Sequence, residues 1–200
     1  QPRAVAGAPE LLADPAGLDA LVRRLTAAPL VAVVAQPAGL ALAVEGESWY
    51  LPLGHGVPQG ELLTERRPVN LPPLSDPRMR PLAEALQNPA IPKAGHDVKE
   101  AWLLLRRAGI ELGGIRYDSR LASFLLDPGR RSHGLEVLAL EILGLRFPPA
   151  GDEPPAEMAP ANAAQHLGAG ALAVLRLKER FDSELDRLAL RRLMEDVELP

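Results

Sequence analysis

The chain has 200 residues, of which 47% are hydrophobic and 24% charged, and this balance fits one compact soluble domain. It has no cysteine, which excludes a disulfide framework, a thiolate nucleophile and a zinc site of the CxxC kind. The net charge of -4 argues against strong binding of nucleic acid by bulk charge, because phosphate neutralisation requires clustered lysine and arginine. No apolar run reaches about 18 residues and no basic segment leads into a shorter one, so we expect neither a membrane span nor a secretory signal, and we expect cytoplasmic residence.

The N-terminal part of the chain predicts a linker, a helix and three strands. Residues 1–17 are rich in Ala, Pro and Gly without helix or strand periodicity, which is typical of a linker. Apolar residues then recur at spacings of three and four over Leu18–Ala27, which predicts an amphipathic helix. Runs rich in Val, Leu and aromatics at 30–35, 40–44 and 48–53 are separated by short turns and predict an antiparallel meander.

The middle of the chain alternates between helix and strand signals. Residues 55–73 hold many Pro and Gly and predict a surface loop. Ser75 is the predicted cap of a helix, and a short strand is expected over 90–94. Asp97 and Asp118 are each predicted to cap a following helix.

Helical patterns dominate the second half, over 119–126, 135–143 and 161–194, with a proline-rich exposed loop predicted over 147–160. Gly168 and Gly170 lie within the last of these helices, where we expect close helix packing rather than a phosphate loop. An N-terminal sheet with interspersed helices, followed by a helical half, predicts a mixed α/β layer fold rather than a doubly wound one.

Three stretches carry a resemblance to a known family. Residues 93–101 read KAGHDVKEA, residues 109–118 read GIELGGIRYD, and residues 121–128 read LASFLLDP. Together they resemble the second exonuclease motif region in the 3′→5′ exonuclease domain of bacterial DNA polymerase I. Residues 28–36 are similar to the first-motif strand, and residues 195–200 to the entry into the polymerase domain.

This resemblance implies a domain plan and partners. Residues 18–196 would form a ribonuclease H-like exonuclease fold, preceded by the linker over 1–17, and residues 197–200 would begin the connection to a polymerase domain. The implied partner is therefore the polymerase domain of the same parent chain. DNA would be bound through the parent enzyme and weakly or not at all by this domain alone, and a monomer is expected.

Active members of the family hydrolyse a terminal phosphodiester with two divalent metals, Mg or Mn, held by hard oxygen ligands. They supply an Asp-x-Glu on the first strand, an Asp on the helix after the second motif, and an Asp on the last helix, four residues after a Tyr. The resemblance assigns these five positions to the following residues of this chain: Val34, Gln36, Ala101, Gly170 and, for the Tyr, His166.

These replacements imply a domain that has lost catalysis and binds no metal or other cofactor. A valine, an alanine and a glycine offer no side-chain oxygen to a metal. The turn after the first motif, Pro37-Ala38, is also shorter than in active relatives. The implied function is structural support for the DNA-synthesising domain of a parent enzyme that takes part in DNA replication and repair without proofreading.

Two alternatives stay open at this point. Other carboxylates, such as Glu45, Glu47, Asp97 or Asp118, could have taken over metal binding in an active nuclease. The domain could instead bind DNA or a replication protein through its arginine-bearing helices without cleaving anything. A metal site at His55, His133 and His166 would require tertiary convergence, since none of them has an HxH or HxxxH neighbour.

Overall fold

The computed structural model describes residues 3–4, 8–56, 69–149 and 157–194, and for residues 3 and 4 only the backbone. Within these ranges, a six-stranded mixed sheet carries helices on both faces. The strands are β1 (Arg3–Ala4), β2 (Glu10–Leu11), β3 (Val31–Gln36), β4 (Gly39–Val44), β5 (Glu47–Pro52), β6 (Lys93–Gly95), β7 (Ile115–Asp118) and β8 (Leu145–Arg146). The helices are α1 (Leu18–Ala27), α2 (Arg80–Gln87), α3 (Val98–Arg107), α4 (Ser119–Leu126), α5 (Leu135–Leu143), α6 (Pro160–Arg187) and α7 (Arg191–Leu193).

The main sheet has the strand order β2-β5-β4-β3-β6-β7, and β1 pairs with β8 separately. Strands β3, β4 and β5 form an antiparallel meander, whereas β2 on β5, β6 on β3 and β7 on β6 are parallel. The predicted meander and the mixed α/β architecture are therefore confirmed.

The two faces of the sheet differ in the size of their side chains. Val31 and Val33 of β3 point to the face covered by α1, α2 and α3, together with the leucines of β4. Ala32, Ala41 and Ala43 point to the opposite face, where α6 packs across β3, β4 and β5. Because these alanines are small and α6 is rich in Ala and Gly, the helix axis can approach the sheet closely.

The predicted boundaries of several helices agree with the structure. Helix α1 spans Leu18–Ala27 as expected and buries Leu18, Leu21 and Leu25 on the sheet side. Helix α5 spans Leu135–Leu143 and ends at Gly144, whose φ of 65° is readily adopted by glycine.

The linker predicted over residues 1–17 contains regular structure in its described parts, beginning with β1, which pairs with β8. Glu10 and Leu11 form β2 on the edge of the sheet, where the Trp49 indole Nε1–H donates to Glu10 Oε2 at 3.1 Å. A single turn of 3₁₀-helix follows at Pro15–Gly17, capped by Asp14. A two-residue edge strand is too short to show periodicity, so tertiary pairing alone defines it.

Three other predictions need correction. Asp76, not Ser75, caps the turn before α2, through a 2.9 Å hydrogen bond from Arg78 N to Asp76 Oδ1. The strand expected over 90–94 is β6, which begins only after Pro92. The last helix does not run to residue 194, because α6 ends at Arg187 and Ala189 has a φ of 57°.

The two predicted loops are only partly described, since residues 57–68 and 150–156 lie outside the described ranges, as do residues 195–200 at the predicted polymerase connection. The described parts are not simply surface loops, because His55, Leu71 and Met158 are buried. None of the described helices is both long and apolar enough to cross a lipid bilayer.

Candidate functional site

A cavity of about 460 Å³ lies where the carboxyl end of β3 meets α3 and α6. We call it the cleft. All five residues that the resemblance assigned to the family's catalytic positions line it, namely Val34, Gln36, Ala101, His166 and Gly170. The structure therefore brings together residues that are up to 136 positions apart in sequence. Their correspondence to the family's catalytic positions remains a prediction.

Three elements present these residues to the cleft. Val34 and Gln36 are two residues apart on β3 and share the face of the sheet that meets α6. Ala101 lies on the buried face of α3, which packs against β3. His166 and Gly170 are one turn apart on α6, so they face the same side.

The start of α3 departs from the predicted cap. Asp97 has a φ of 58° and its side chain does not cap the helix. The cap comes instead from Asp118 at the end of β7, whose carboxylate accepts hydrogen bonds from Asp97 N at 3.1 Å and Val98 N at 2.7 Å. Asp97 is the N-cap residue, as predicted, but its side chain makes no capping hydrogen bond, because a buried carboxylate from a neighbouring strand takes that role.

Asp118 also caps the helix that follows it, as predicted. Its Oδ1 accepts from Arg120 N at 2.8 Å and from Leu121 N at 3.3 Å. One carboxylate, 2% exposed, thus anchors the first turns of both α3 and α4. Asp118 is occupied by four backbone N–H groups and does not line the cleft.

Carboxylates that do line the cleft are Asp97, Glu100 and Glu136. Asp97 forms an ion pair with Arg120. Glu136 Oε1 lies 3.3 Å from His166 Nε2. Among the residues that the structure describes, no three His, Asp or Glu side chains are grouped so that they could hold a metal ion.

The other proposed substitutes lie at the wrong end of the meander. Gln36 pairs with Gly39 at the β3–β4 turn, beside the cleft, while Val44 pairs with Glu47 at the far end of β4. Glu45 is in that far turn, and Glu47 forms a 2.5 Å ion pair with Arg24. Neither glutamate reaches the cleft residues.

The histidines are held separately. In the cleft, His166 Nδ1 donates to Pro148 O at 2.8 Å, and Phe147 packs edge-on against its ring. His96 Nδ1 is 2.9 Å from Ser119 Oγ, and burial lowers the pKa of His96. His133 Nδ1 is 2.9 Å from Ser123 Oγ, and His55 lies elsewhere, against Met158.

Both glycines of α6 are sites of close approach, and Gly170 packs against a neighbouring helix, as predicted, whereas Gly168 packs against Pro9. A Cβ at Gly168 would lie 2.4 Å from Pro9 Cγ, and a Cβ at Gly170 would lie 3.3 Å from Leu135 Cδ2. The side chains of Leu135 and Phe147 therefore occupy the space next to Gly170 into which a longer side chain would extend.

The side chains at the positions assigned to the family's carboxylates do not fit a pair of divalent cations. Val34, Ala101 and Gly170 have no ligating side-chain atom, and Gln36 offers one neutral amide oxygen. Hard divalent cations are held by several oxygen ligands, usually with carboxylates among them.

Several cleft residues were not singled out from the sequence, including Arg120, Glu136, Leu135 and Phe147. Arg120 follows the capping Asp118, which is a helix-start signal and not a site signal. The others approach the cleft only through the packing of α5 and the segment after β8 against α6.

Comparisons with known proteins agree with this geometry. The family model described as DNA polymerase I, ribonuclease H-like domain, matches residues 73–142, which contain β6, α3, β7 and α4. DNA polymerase I of Pseudomonas aeruginosa is 30% identical over 96% of the chain, and that of Chloroflexus aurantiacus is 31% identical over all of it. Together these matches support an exonuclease-like, ribonuclease H-like domain of DNA polymerase I. It spans 22% of the length of each of these two relatives.

Solved structures extend the same result. The POL domain of Pol1 from M. smegmatis, in complex with a DNA primer-template and dNTP, superposes with a TM-score of 0.69 at 27% identity, covering 96% of this chain and 30% of that one. Trypanosoma brucei RNase D superposes with a TM-score of 0.67 at 14% identity, covering 95% of this chain and 71% of that one. The second likeness concerns the fold alone, and both support the ribonuclease H-like architecture.

Proposed function

We propose that this exonuclease-like domain is catalytically inactive and that it supports the DNA-synthesising part of a longer DNA polymerase I chain, which therefore lacks proofreading. The observation that carries the proposal is the set of side chains in the cleft. The resemblance assigns the family's carboxylate positions to Val34, Gln36, Ala101 and Gly170, and these four residues line the cleft.

The missing groups are the ones that two-metal hydrolysis depends on. In that reaction, one cation generates hydroxide and both stabilise the charge that develops on the phosphate. Without anionic ligands the cations are not retained, and apolar side chains cannot replace their electrostatic effect. The proposal therefore includes no metal or other cofactor for this domain.

Rescue by other carboxylates has little geometric support. Glu45 and Glu47 are at the far end of the meander, and Asp118 is bound by four backbone N–H groups. Asp97 and Glu100 are in the cleft wall, but Asp97 is already paired with Arg120.

The proposed partner is the polymerase domain of the same chain. The M. smegmatis relative, whose structure holds a primer-template and dNTP, supports a parent that synthesises DNA. Many arginines here are paired with acids, as in Arg24–Glu47 and Arg130–Glu141, which supports weak or no DNA binding by this domain alone. We propose a monomeric, cytoplasmic parent.

A cleavage assay tests the proposal. The protein is incubated with 5′-labelled single-stranded DNA and Mg²⁺ or Mn²⁺, and the products are separated by length. We expect the DNA to stay at full length. The matched control is the triple variant Asp97→Asn, Glu100→Gln, Glu136→Gln, purified in the same way. Stepwise 3′ shortening by the natural protein that this variant lacks would overturn the inactive assignment, whereas equal shortening by both indicates a contaminant.

Two further measurements distinguish a structural role of this domain from a DNA-binding role. Deleting residues 18–196 from the parent polymerase is expected to lower the thermal unfolding midpoint of the remainder. A DNA titration of this domain at low salt is expected to show weak or no binding, and tight binding that weakens as salt rises would favour a DNA-binding role instead.

A further inference from the structure

His55 is a buried junction between three parts of the chain. It follows β5, and only 5% of its surface is exposed. Its ring Nε2 lies 2.8 Å from the Tyr50 hydroxyl, and its Nδ1 lies 2.8 Å from Met158 O, which is 103 positions away in sequence. The backbone of His55 is bonded twice to the Asn70 side chain, through Asn70 Oδ1 at 2.9 Å and Nδ2 at 2.8 Å.

The hydrogen bonds fix the tautomer of the ring. Met158 O can only accept, so Nδ1 of His55 must carry the proton. In the neutral ring Nε2 is then an acceptor, and it receives the hydrogen of the Tyr50 hydroxyl. Tyr50 is fully buried, and burial raises its pKa, so this hydroxyl keeps its proton. Every polar atom of the neutral ring is thus satisfied.

We propose that His55 is a proton-sensitive clamp, which holds Met158 and the start of α6 against the sheet while its ring is neutral and releases them when the ring is protonated. This inference is independent of the proposed function. Protonation would place a hydrogen on Nε2, facing the Tyr50 hydroxyl. The hydroxyl would then have to turn its own hydrogen away, inside a buried site.

Burial of the ring opposes a positive charge more than the one described group that favours it, the carbonyl oxygen of Met158. The ring is hydrogen-bonded to the Tyr50 hydroxyl of β5 and to Met158 O in the segment before α6, whereas the Asn70 amide is bonded to the backbone of His55. The only titratable group among them is Tyr50. Among the described residues, no acid pairs with His55, so burial favours the neutral ring.

The clamp acts on the helix that closes the cleft. Met158 is buried in the core that α6 shares with the sheet, and α6 carries His166 and Gly170 further along. In the first turn of α6, Asn162 N and Ala163 N donate to Ala159 O, next to Met158. Release of Met158 O would therefore weaken the hydrogen bonds of these two amides first.

The sign of the pH dependence follows from the pKa of His55, which burial lowers from its ordinary value of 6.5. The released ring has the ordinary pKa, so below about pH 6.5 the released state binds more protons than the clamped one. The clamp is therefore complete at neutral pH. The equilibrium constant for release rises by up to about tenfold per pH unit as the pH falls from 6.5 to the lowered pKa.

Nuclear magnetic resonance of the natural chain tests this directly. The histidine ring nitrogens are titrated, and amide exchange is followed at Asn162 and Ala163. We expect His55 to have a protonated Nδ1 and an unprotonated Nε2 at neutral pH and to titrate below its ordinary range. Exchange at both amides, corrected for the intrinsic effect of pH, should accelerate as His55 titrates. Titration of His55 near pH 6.5, or unchanged protection of both amides throughout, would overturn the proposal.

Two variants provide the controls. His55→Phe keeps a ring of similar size but removes both hydrogen bonds, so the two amides should be unprotected at every pH. His133→Gln removes a histidine that is bonded to Ser123 instead. It should leave the pH response of the α6 amides unchanged. Loss of that response in His133→Gln would show that it comes from His133 and not from His55.

Discussion

The backbone N–H of Val98 donates to the carboxylate of Asp118 at 2.7 Å, which ties the first turn of α3 to the end of β7. The same carboxylate accepts from Arg120 N and Leu121 N. We expect Asp118→Ala to lower the free energy of unfolding by roughly 2–4 kcal/mol, because two helix starts lose a buried, charged acceptor. Chemical denaturation followed by circular dichroism measures this loss.

Asp127→Ala is the matched control for Asp118→Ala. Asp127 follows α4 and is exposed, and the one ion pair that its side chain forms within the described ranges is a loose contact of 3.9 Å with Arg130. Its replacement should change the free energy of unfolding by less than about 0.5 kcal/mol. Equal losses for the two variants would show that the double cap contributes nothing specific.

Gly168 and Gly170 offer a paired test of the close contact between α6 and its neighbours. Alanine favours a helix over glycine by about 1 kcal/mol, so Gly170→Ala, whose new Cβ meets a side-chain methyl group at 3.3 Å, should be nearly neutral. In Gly168→Ala the Cβ would overlap Pro9 Cγ at 2.4 Å, and we expect destabilisation by about 1–3 kcal/mol despite the better helix propensity. Thermal unfolding of both variants shows which is less stable, and we expect the lower midpoint for Gly168→Ala.

The two buried tyrosines should respond in opposite directions to loss of their hydroxyls. Tyr117 is 1% exposed and its hydroxyl has no hydrogen-bond partner among the described residues, while the Tyr50 hydroxyl is bonded to His55. Tyr117→Phe should leave stability unchanged or raise it by about 1 kcal/mol, and Tyr50→Phe should lower it by roughly 1–2 kcal/mol. The denaturant midpoints of the two variants are compared at neutral pH. A lower midpoint for Tyr117→Phe than for Tyr50→Phe would contradict this prediction.

Much of the architecture could be predicted from the sequence, because local patterns are strong where they determine the fold. Helices α1 and α5 and the meander follow from periodicity and turn residues. The capping of α3 by Asp118 could not be predicted. Asp118 is distant from α3 in sequence, and its carboxylate comes close to the helix start only when the sheet forms. For the cleft, the resemblance indicated five residues that do converge, whereas Leu135 and Phe147 approach Gly170 only through packing between helices.

Lys93 gives the fold a pH dependence in the alkaline range. Its ammonium is buried and donates to Asn88 O and Ile91 O, each at 2.9 Å, and burial lowers its pKa from 10.5 to about 8. Between these two values the unfolded chain binds the extra proton, so the contribution of Lys93 to stability increases as the pH rises.

The variant Lys93→Met isolates this effect. From pH 8 to pH 10, the natural protein should gain stability relative to Lys93→Met by up to about 1.4 kcal/mol per pH unit. Tyrosine ionisation affects both proteins alike, so the difference between their urea-denaturation free energies reports Lys93 alone. A difference that stays constant over this range would rule out the lowered pKa.

The central claim, that the cleft has lost its ability to hold catalytic metals, is tested most directly by Mn²⁺ binding measured with electron paramagnetic resonance. The natural protein is compared with the triple variant Val34→Asp, Gln36→Glu, Ala101→Asp, which leaves out Gly170 because Leu135 packs next to it. Circular dichroism checks that the variant is folded. We predict that the natural protein leaves Mn²⁺ free in solution and that the variant binds it. Binding of Mn²⁺ by the natural protein that is lost in Asp97→Asn, Glu100→Gln would contradict the account.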